Sequence, residues 1–237
     1  MKTIKLIILS TGFAFAALSV HAQAFQNLNF EQADPISAGV PGEPFDVTAA
    51  SALPFWTAYL GNVQQTEVLQ NVYSLGQASV DIFGPNYPSA GPSPGIDPGI
   101  IDGNYSVFIQ AGSDPQNSTV LVSASIEQTG LVPVGSESLE FKAWQNTFTE
   151  FSVSFDGNNL SPVMLGTGAN YTLYGVDIAP FAGQTGPLEF TATVPQTGLS
   201  LFGLDDITFV LTPEPSIVAL AAIGGLLFGA RKWFARH

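Results

Sequence analysis

The chain contains no cysteine. That excludes disulfide staples, a thiolate nucleophile and thiolate metal ligands. Its two histidines, His21 and His237, both lie near the ends. The body, residues 25–212, therefore cannot build a histidine-based triad or a histidine zinc site. Basic residues are almost as scarce. Lys2, Lys5, Arg231, Lys232 and Arg236 sit near the termini, which leaves Lys142 as the one cation of the body. Of nineteen acidic residues only Glu214 falls outside the body. The body thus carries eighteen acids against one base, a net charge of −17. Such a field repels nucleic acid phosphates and anionic lipid headgroups, and it suits hard cations such as Ca²⁺. No P-loop or dinucleotide fingerprint occurs. One catalytic chemistry stays open, a glycosidase-type carboxylate pair about 5–9.5 Å apart. Sequence spacing singles out no such pair, and the body reads as non-catalytic.

The ends of the chain have a different character. Lys2 and Lys5 precede an apolar run from Leu6 to Val20, and Ala22-Gln23-Ala24 follows as an A-x-A cleavage signal. Residues 1–24 therefore read as a secretory signal peptide, with cleavage after Ala24 and a cut after Ala22 as the alternative. At the other end, Pro213-Glu214-Pro215 is a stiff polar tripeptide, because each proline fixes φ. The uncharged run Ile217 to Ala230 follows, then Arg231, Lys232 and Arg236. Fourteen helical residues span about 21 Å, short of the ~30 Å hydrocarbon core unless Trp233, Phe234 and Ala235 join the span. The basic end is expected to stay cytoplasmic.

This order of tripeptide, apolar run and basic stop resembles the PEP-CTERM sorting signal. The resemblance implies export, a transient anchor in the inner membrane, and recognition by exosortase. An ordinary membrane anchor is the competing reading. Residues 212–237 are expected to form a transmembrane tail on either view, and residues 25–211 one domain.

Within the body, period-2 alternation recurs between turn signals. Tyr105, Val107 and Ile109 share one face, as do Leu139, Phe141 and Ala143. Strands are expected at Phe25 to Gln32, Pro54 to Leu60, Thr66 to Tyr73, Ala78 to Phe83, Asn104 to Gln110, Thr119 to Gln128, Ser138 to Trp144 and Phe151 to Phe155. Three more follow at Tyr171 to Ile178, Leu188 to Val194 and Leu199 to Leu211. Residues 33–53 read as a loop. Gly84 to Gly99, with five prolines, reads as a second and long surface loop. Asp156-Gly157-Asn158-Asn159 is hairpin chemistry. No stretch keeps a 3.6-residue period, so the expected fold is all-β, a sandwich or barrel.

Three pieces carry a second resemblance. Asn27-Leu28-Asn29-Phe30-Glu31 looks like a first strand. Asp177-Ile178 with Phe181-Ala182-Gly183-Gln184 and Leu188-Glu189-Phe190 looks like a penultimate hairpin. Gly203-Leu204-Asp205-Asp206-Ile207-Thr208-Phe209 looks like a last strand. In this order they resemble the jelly-roll modules of carbohydrate-binding and galactose-binding-like type. The resemblance implies a jelly-roll β-sandwich whose first and last strands lie adjacent. It also implies a structural Ca²⁺ held by Glu31, Asp205 and Asp206 together with backbone carbonyls. Strict alternation sets Asp205 and Asp206 on opposite faces, so both can serve only if the strand bulges there.

A glycan partner, such as an exopolysaccharide, would stack on aromatic rings. Trp56 and Tyr105 fall within strand alternation and read as core. Trp144 and Tyr87 are the candidate stacking residues, and Tyr87 is expected to be exposed in the Pro-rich loop. Lys142 is expected to be solvated and paired with Glu140 or Glu150. The reading is an exported, non-catalytic protein of the cell surface or extracellular matrix. A purely structural matrix protein without a ligand pocket is its alternative.

Overall fold

Alternating apolar residues give each strand one face to bury, and two such faces close on each other to make the core. The computed structural model describes residues 23–39, 45–72, 74, 76–87, 99–145, 150–194 and 200–212. Residues 1–22 of the expected leader, most of the Pro-rich loop, and the expected tail from Pro213 through Glu214, Pro215, Arg231 and Lys232 lie outside the described residues. Among the described residues no helix is long and apolar enough to cross a membrane.

The described strands are β1 (Asp46–Thr48), β2 (Thr57–Leu60), β3 (Val63–Gln65), β4 (Glu67–Gln70), β5 (Ser79–Phe83), β6 (Ser106–Asp114), β7 (Asn117–Val122) and β8 (Ala124–Leu131). They continue as β9 (Ser136–Gln145), β10 (Phe151–Phe155), β11 (Asn158–Leu160), β12 (Val163–Thr167), β13 (Thr172–Asp177), β14 (Thr185–Ala192) and β15 (Ser200–Leu211). Among the described residues, one short helix, α1 (Ala49–Ala52), and a 3₁₀ turn at Ala179–Phe181 complete the inventory. The large sheet runs β1-β4-β5-β6-β15-β9-β13-β12, with β7 hairpinned onto β6. The smaller sheet runs β11-β10-β14-β8-β2-β3. The described residues form an all-β sandwich of these two sheets.

The alternation read from sequence is the packing observed. Val107, Ile109, Leu139, Phe141, Phe202 and Leu204 point inward from the large sheet, and Ile126, Val153, Leu188 and Phe190 meet them from the smaller one. Trp56 joins this core, and Tyr105 packs half-buried against it. Fully burying one such side chain contributes about 1.5–3 kcal/mol. The Asp156-Gly157 turn joins β10 to β11 with φ of 48° and 73°, as a two-residue hairpin of this type requires.

Several expectations are corrected. Phe25 to Gln32 forms turns, not a strand, although it does lie against β15: Ile207 N–H donates to Leu28 O at 2.9 Å, and Phe25 stacks on Phe209. Thr119 to Gln128 is broken at Ser123, between β7 and β8. The loop expected over 33–53 contains β1 and α1. Tyr87 is buried, only 6% exposed, because its ring stacks on Phe83 at 3.9 Å. It thereby helps to cover the outer face of the large sheet, where Phe83 and Phe108 form a second small core with Ile100 and Trp144 against them.

Candidate functional site

The segment Asn27 to Glu31 is a knot in which each residue has a partner. Asn27 and Phe30 adopt φ of 50° and 56°, a region that costs most residues energy. Their contacts offset that cost. Asn27 O accepts the Trp56 indole N–H at 3.1 Å, and Asn27 Oδ1 accepts Gln32 N–H at 3.0 Å. Phe30 is fully buried beside Trp56. The turn then delivers Glu31 to a loop far away in sequence. Glu31 Oε1 accepts the backbone N–H groups of Asn104 at 2.6 Å and Tyr105 at 3.0 Å, and Oε2 accepts Asn104 Nδ2 at 2.8 Å. Gly103, with φ of 58°, lets that loop approach, since a Cβ there would collide with Glu31 Oε1.

The last strand supplies the opposite wall. The pairing of β15 with β9 slips between Asp205 and Thr208, and Asp206 has φ of 48°. This is a β-bulge, and it removes the strict alternation that would have separated the two aspartates. Asp205 is buried, 1% exposed. Its Oδ2 accepts Ser106 Oγ at 2.6 Å and Asp102 N–H at 3.1 Å, and its Oδ1 accepts Asp206 N–H at 2.7 Å. Burial pushes its carboxyl up to about 7, against the opposing pull of these bonds.

Lys142 bridges the walls. Its ammonium donates to Asp102 Oδ2 and to Asp206 Oδ2, the latter at 2.9 Å, and it stands over the Tyr171 ring. The bond to Asp102 and then that to Asp206 hold its proton more tightly than usual. The Lys142 bond, helped by Gly103 N–H, holds Asp102 below the ordinary carboxylate range. The pairing expected with Glu140 or Glu150 is not the one found, and the expected solvation is not found either, because the Lys142 side chain is only 17% exposed. Alternation does turn Lys142 away from the inter-sheet core, but β15 lies beside it there with the bulge at Asp206.

Asn29, Glu31, Asp102, Gly103, Asp205 and Asp206 line one pocket of about 170 Å³. The structure therefore brings Glu31, Asp205 and Asp206 together. Sequence reading missed Asp102, Gly103 and Asn104, although Asp-Gly-Asn is turn chemistry that marks a tight approach. The donor set suits a hard cation: all oxygen, with four carboxylates against one ammonium. As the side chains stand, no group of three carboxylates among the described residues is arranged to hold a metal ion. Glu31 is turned to N–H groups, and Lys142 serves Asp102 and Asp206.

Trp144 and Tyr87 lie on the outer face of the large sheet, apart from the residues that line this pocket. In register across three strands, Gly203 sits between Phe108 on β6 and Trp144 on β9. The absent side chain at Gly203 lets the two rings approach to 5.9 Å. Trp144 is half-buried, at the margin of this aromatic row.

No protein-family model and no curated protein matches the chain. Among solved structures, it is similar to TmCBM61 in complex with β-1,4-galactotriose, at 12% identity and a TM-score of 0.43, over 80% of this chain and 99% of that one. It is also similar to the enzymatically active domain of tailspike protein 4 from bacteriophage CBA120, at 16% identity and a TM-score of 0.37, over 67% of this chain and 20% of that one. A third is the xyloglucanase domain of NopAA from Sinorhizobium fredii in complex with cellobiose, at 8% identity and a TM-score of 0.27, over 62% and 93%.

Proposed function

We propose that this chain is an exported, non-catalytic β-sandwich protein, sorted by exosortase to the cell surface or extracellular matrix, where it associates with a glycan such as an exopolysaccharide. The observation that carries the glycan reading is the row Phe108-Gly203-Trp144, with half-buried Trp144 at its margin. Sugar C–H faces pack on such rings, and sparse polar groups orient the hydroxyls. The sorting reading rests on Pro213-Glu214-Pro215, the apolar run and the basic end. Binding of the intact protein to immobilised polysaccharides tests the glycan reading. Trp144→Ala is expected to weaken it by roughly tenfold, about 1.4 kcal/mol. Unchanged binding by that variant would put the glycan away from Trp144, and no binding to any polysaccharide leaves a structural matrix protein without a ligand.

Ca²⁺ is part of the proposal. A hard dication would be held by Glu31, Asp205 and Asp206, with Asp102 in reach, and would take over from Lys142 the neutralisation of this pocket. Bound there, it would tie the turn after the leader to the last strand and stiffen the sandwich edge.

One observation favours a second reading. A carboxyl held near 7, as Asp205 is, suits a general acid. Against it, Asp205 is closed off from solvent and all three of its bonds run to neighbouring protein groups. Polysaccharide turnover lost in Asp205→Asn would establish catalysis.

A further inference from the structure

We propose that the cleft between β4, β5 and the β2–β3 hairpin is a second saccharide-binding position, one that takes an uncharged oligosaccharide. The proposal rests on the glycan reading above, but its residues lie apart from Trp144. β4 and β5 run parallel, and their register holds only at Leu69↔Asp81 and Gln70↔Ile82. Ahead of those residues the strands part, and Glu67, Val68, Ser79 and Val80 line a cavity of about 310 Å³ there. A further cavity of about 390 Å³ shares Leu60, Gln65 and Pro115 with it and continues round the β6–β7 turn. Small ligands occupy clefts of about 300–1,000 Å³ with an apolar lining and a few placed polar groups. The neighbouring cavity beside Ala50 and Thr57, about 220 Å³, falls short of that size.

One wall of the cleft is fixed in advance. Buried Gln110 donates from Nε2 to Ser74 O and Gln77 O. Ser113 N–H donates to Gly76 O at 2.9 Å, and Ala78 N–H donates to Ser113 O at 2.8 Å. Gly112 lets this turn lie on β6, since a Cβ there would stand 2.5 Å from Gly76 O. A wall held at so many points is not ordered at the ligand's expense, which lowers the cost of binding. The lining then selects the ligand. Leu60, Leu69 and Pro115 offer apolar surface to sugar C–H faces. Among the described residues, the Glu67 carboxylate and the amides of Gln64, Gln77 and Gln116 are exposed and keep their hydrogen-bonding groups free. Amides donate and accept, as hydroxyl groups do, and a carboxylate accepts a hydroxyl proton. No cation among the described residues lines either cavity, and Lys142 is engaged elsewhere, so an anionic sugar meets only repulsion. The carboxylates here form no metal-holding group of three among the described residues. An amino sugar would be drawn to carboxylates over the whole body, whereas the amides single out hydroxyl groups in this cleft.

The absence of cysteine allows a local test. Val63→Cys, at the rim of the cleft, carries an environment-sensitive thiol dye in the full chain, and Val134→Cys, exposed beyond the far end of β8, is the control. The probes are gluco-, galacto- and manno-tetraoses, with tetragalacturonate and a chitosan tetramer as charged counterparts. The expected result is a saturable response of the Val63 dye to at least one neutral tetraose, with none at Val134. That response is expected to persist in Trp144→Ala and to need roughly tenfold more sugar when Glu67→Ala and Gln77→Ala are combined. Both of those residues are exposed, and melts matching the parent confirm folding. A silent Val63 dye in a protein that still binds immobilised polysaccharide overturns the cleft and leaves the Trp144 reading standing. A response only to the charged probes, or one that Trp144→Ala abolishes, overturns the assignment of a separate neutral site. Binding to no polysaccharide and no tetraose overturns both readings.

Discussion

The Asn104 backbone N–H lies 2.6 Å from Glu31 Oε1, a bond that spans seventy-three residues and ties the Asn27 to Glu31 turn to the loop ahead of β6. Two more donors, Asn104 Nδ2 and Tyr105 N–H, converge on the same carboxylate. Bonds to a charged acceptor contribute about 1.5–3 kcal/mol each when buried, and less where water competes. Glu31→Ala is therefore expected to cost about 2–4 kcal/mol in total, and Glu31→Gln, which keeps an acceptor oxygen, roughly half of that. Urea denaturation of both variants checks the order. Equal stability of Glu31→Ala and the parent would mean that the clamp contributes nothing.

The origin of that clamp marks where sequence reading stops. Alternation in β6, β9 and β14 gave away the inner faces, since one face of each strand had to be apolar. The hairpin at Asp156-Gly157 was legible because few residues accept positive φ. Asn27 and Phe30 were not legible, because their left-handed φ is imposed by distant partners such as Trp56 and not by local propensity. The bulge at Asp206 is of the same kind. Sequence posed the question of whether both aspartates could face one site, and only the slipped pairing with β9 answers it. Tyr87 was misread as exposed because a proline-rich loop says nothing about the apolar outer face that it covers.

The start of the mature chain bears on the same region. Gln23 O accepts Leu131 N–H at 2.9 Å, Ala24 bridges to Leu131, and Gln26 exchanges hydrogen bonds with the Gln128 amide at 2.6 and 2.9 Å. A cut after Ala22 keeps all of these, whereas a cut after Ala24 removes the first two. These contacts favour the alternative cut over the one after Ala24 expected from sequence, so protein recovered from its native host is expected to begin at Gln23 and to lack the tail beyond the Pro213-Glu214-Pro215 region. Intact-mass measurement decides it. A surface protein still carrying Trp233 would mean a plain anchor, and one beginning at Phe25 would show that the Gln23 bond is dispensable.

Calcium makes a separate expectation. An ion that binds only the folded state adds RT ln(1 + [L]/Kd), about 2.7 kcal/mol at a hundredfold excess. For a domain of this size that is roughly a 5–10 °C rise in Tm. Mg²⁺ is expected to do less, because it sheds water reluctantly and demands octahedral geometry. Lys142 competes for Asp102 and Asp206, so Lys142→Gln is expected to lower apo stability and to strengthen the Ca²⁺ response. Melts in EDTA, Ca²⁺ and Mg²⁺ provide the comparison. Identical Tm in EDTA and Ca²⁺ would leave Lys142 as the resident counter-ion of the pocket.

Asp81 gives the protein a pH dependence of defined sign. It is fully buried on the outer face of β5, where Oδ2 accepts Ser79 Oγ at 2.9 Å and Oδ1 has no hydrogen-bond partner among the described residues. Burial raises its carboxyl well above the ordinary value of 3.8, and the Ser79 bond only partly opposes this. The folded state thus keeps a proton that the unfolded chain releases near pH 4. Between those two values the folded state binds more protons, so stability falls as pH rises. The contribution is complete below about pH 4 and is lost progressively on the way up to the folded value. Asp205, raised by burial, and Glu127, raised first by burial and then by Glu189, slope the same way. Asp102, lowered first by Lys142, slopes oppositely, and its effect lies below about pH 4. Asp81→Asn isolates the first of these groups. Its stability relative to the parent is expected to rise steadily from pH 4 upward, measured by thermal melts at constant ionic strength. A constant difference between variant and parent across pH 4–8 would mean that Asp81 is ionised in the folded protein.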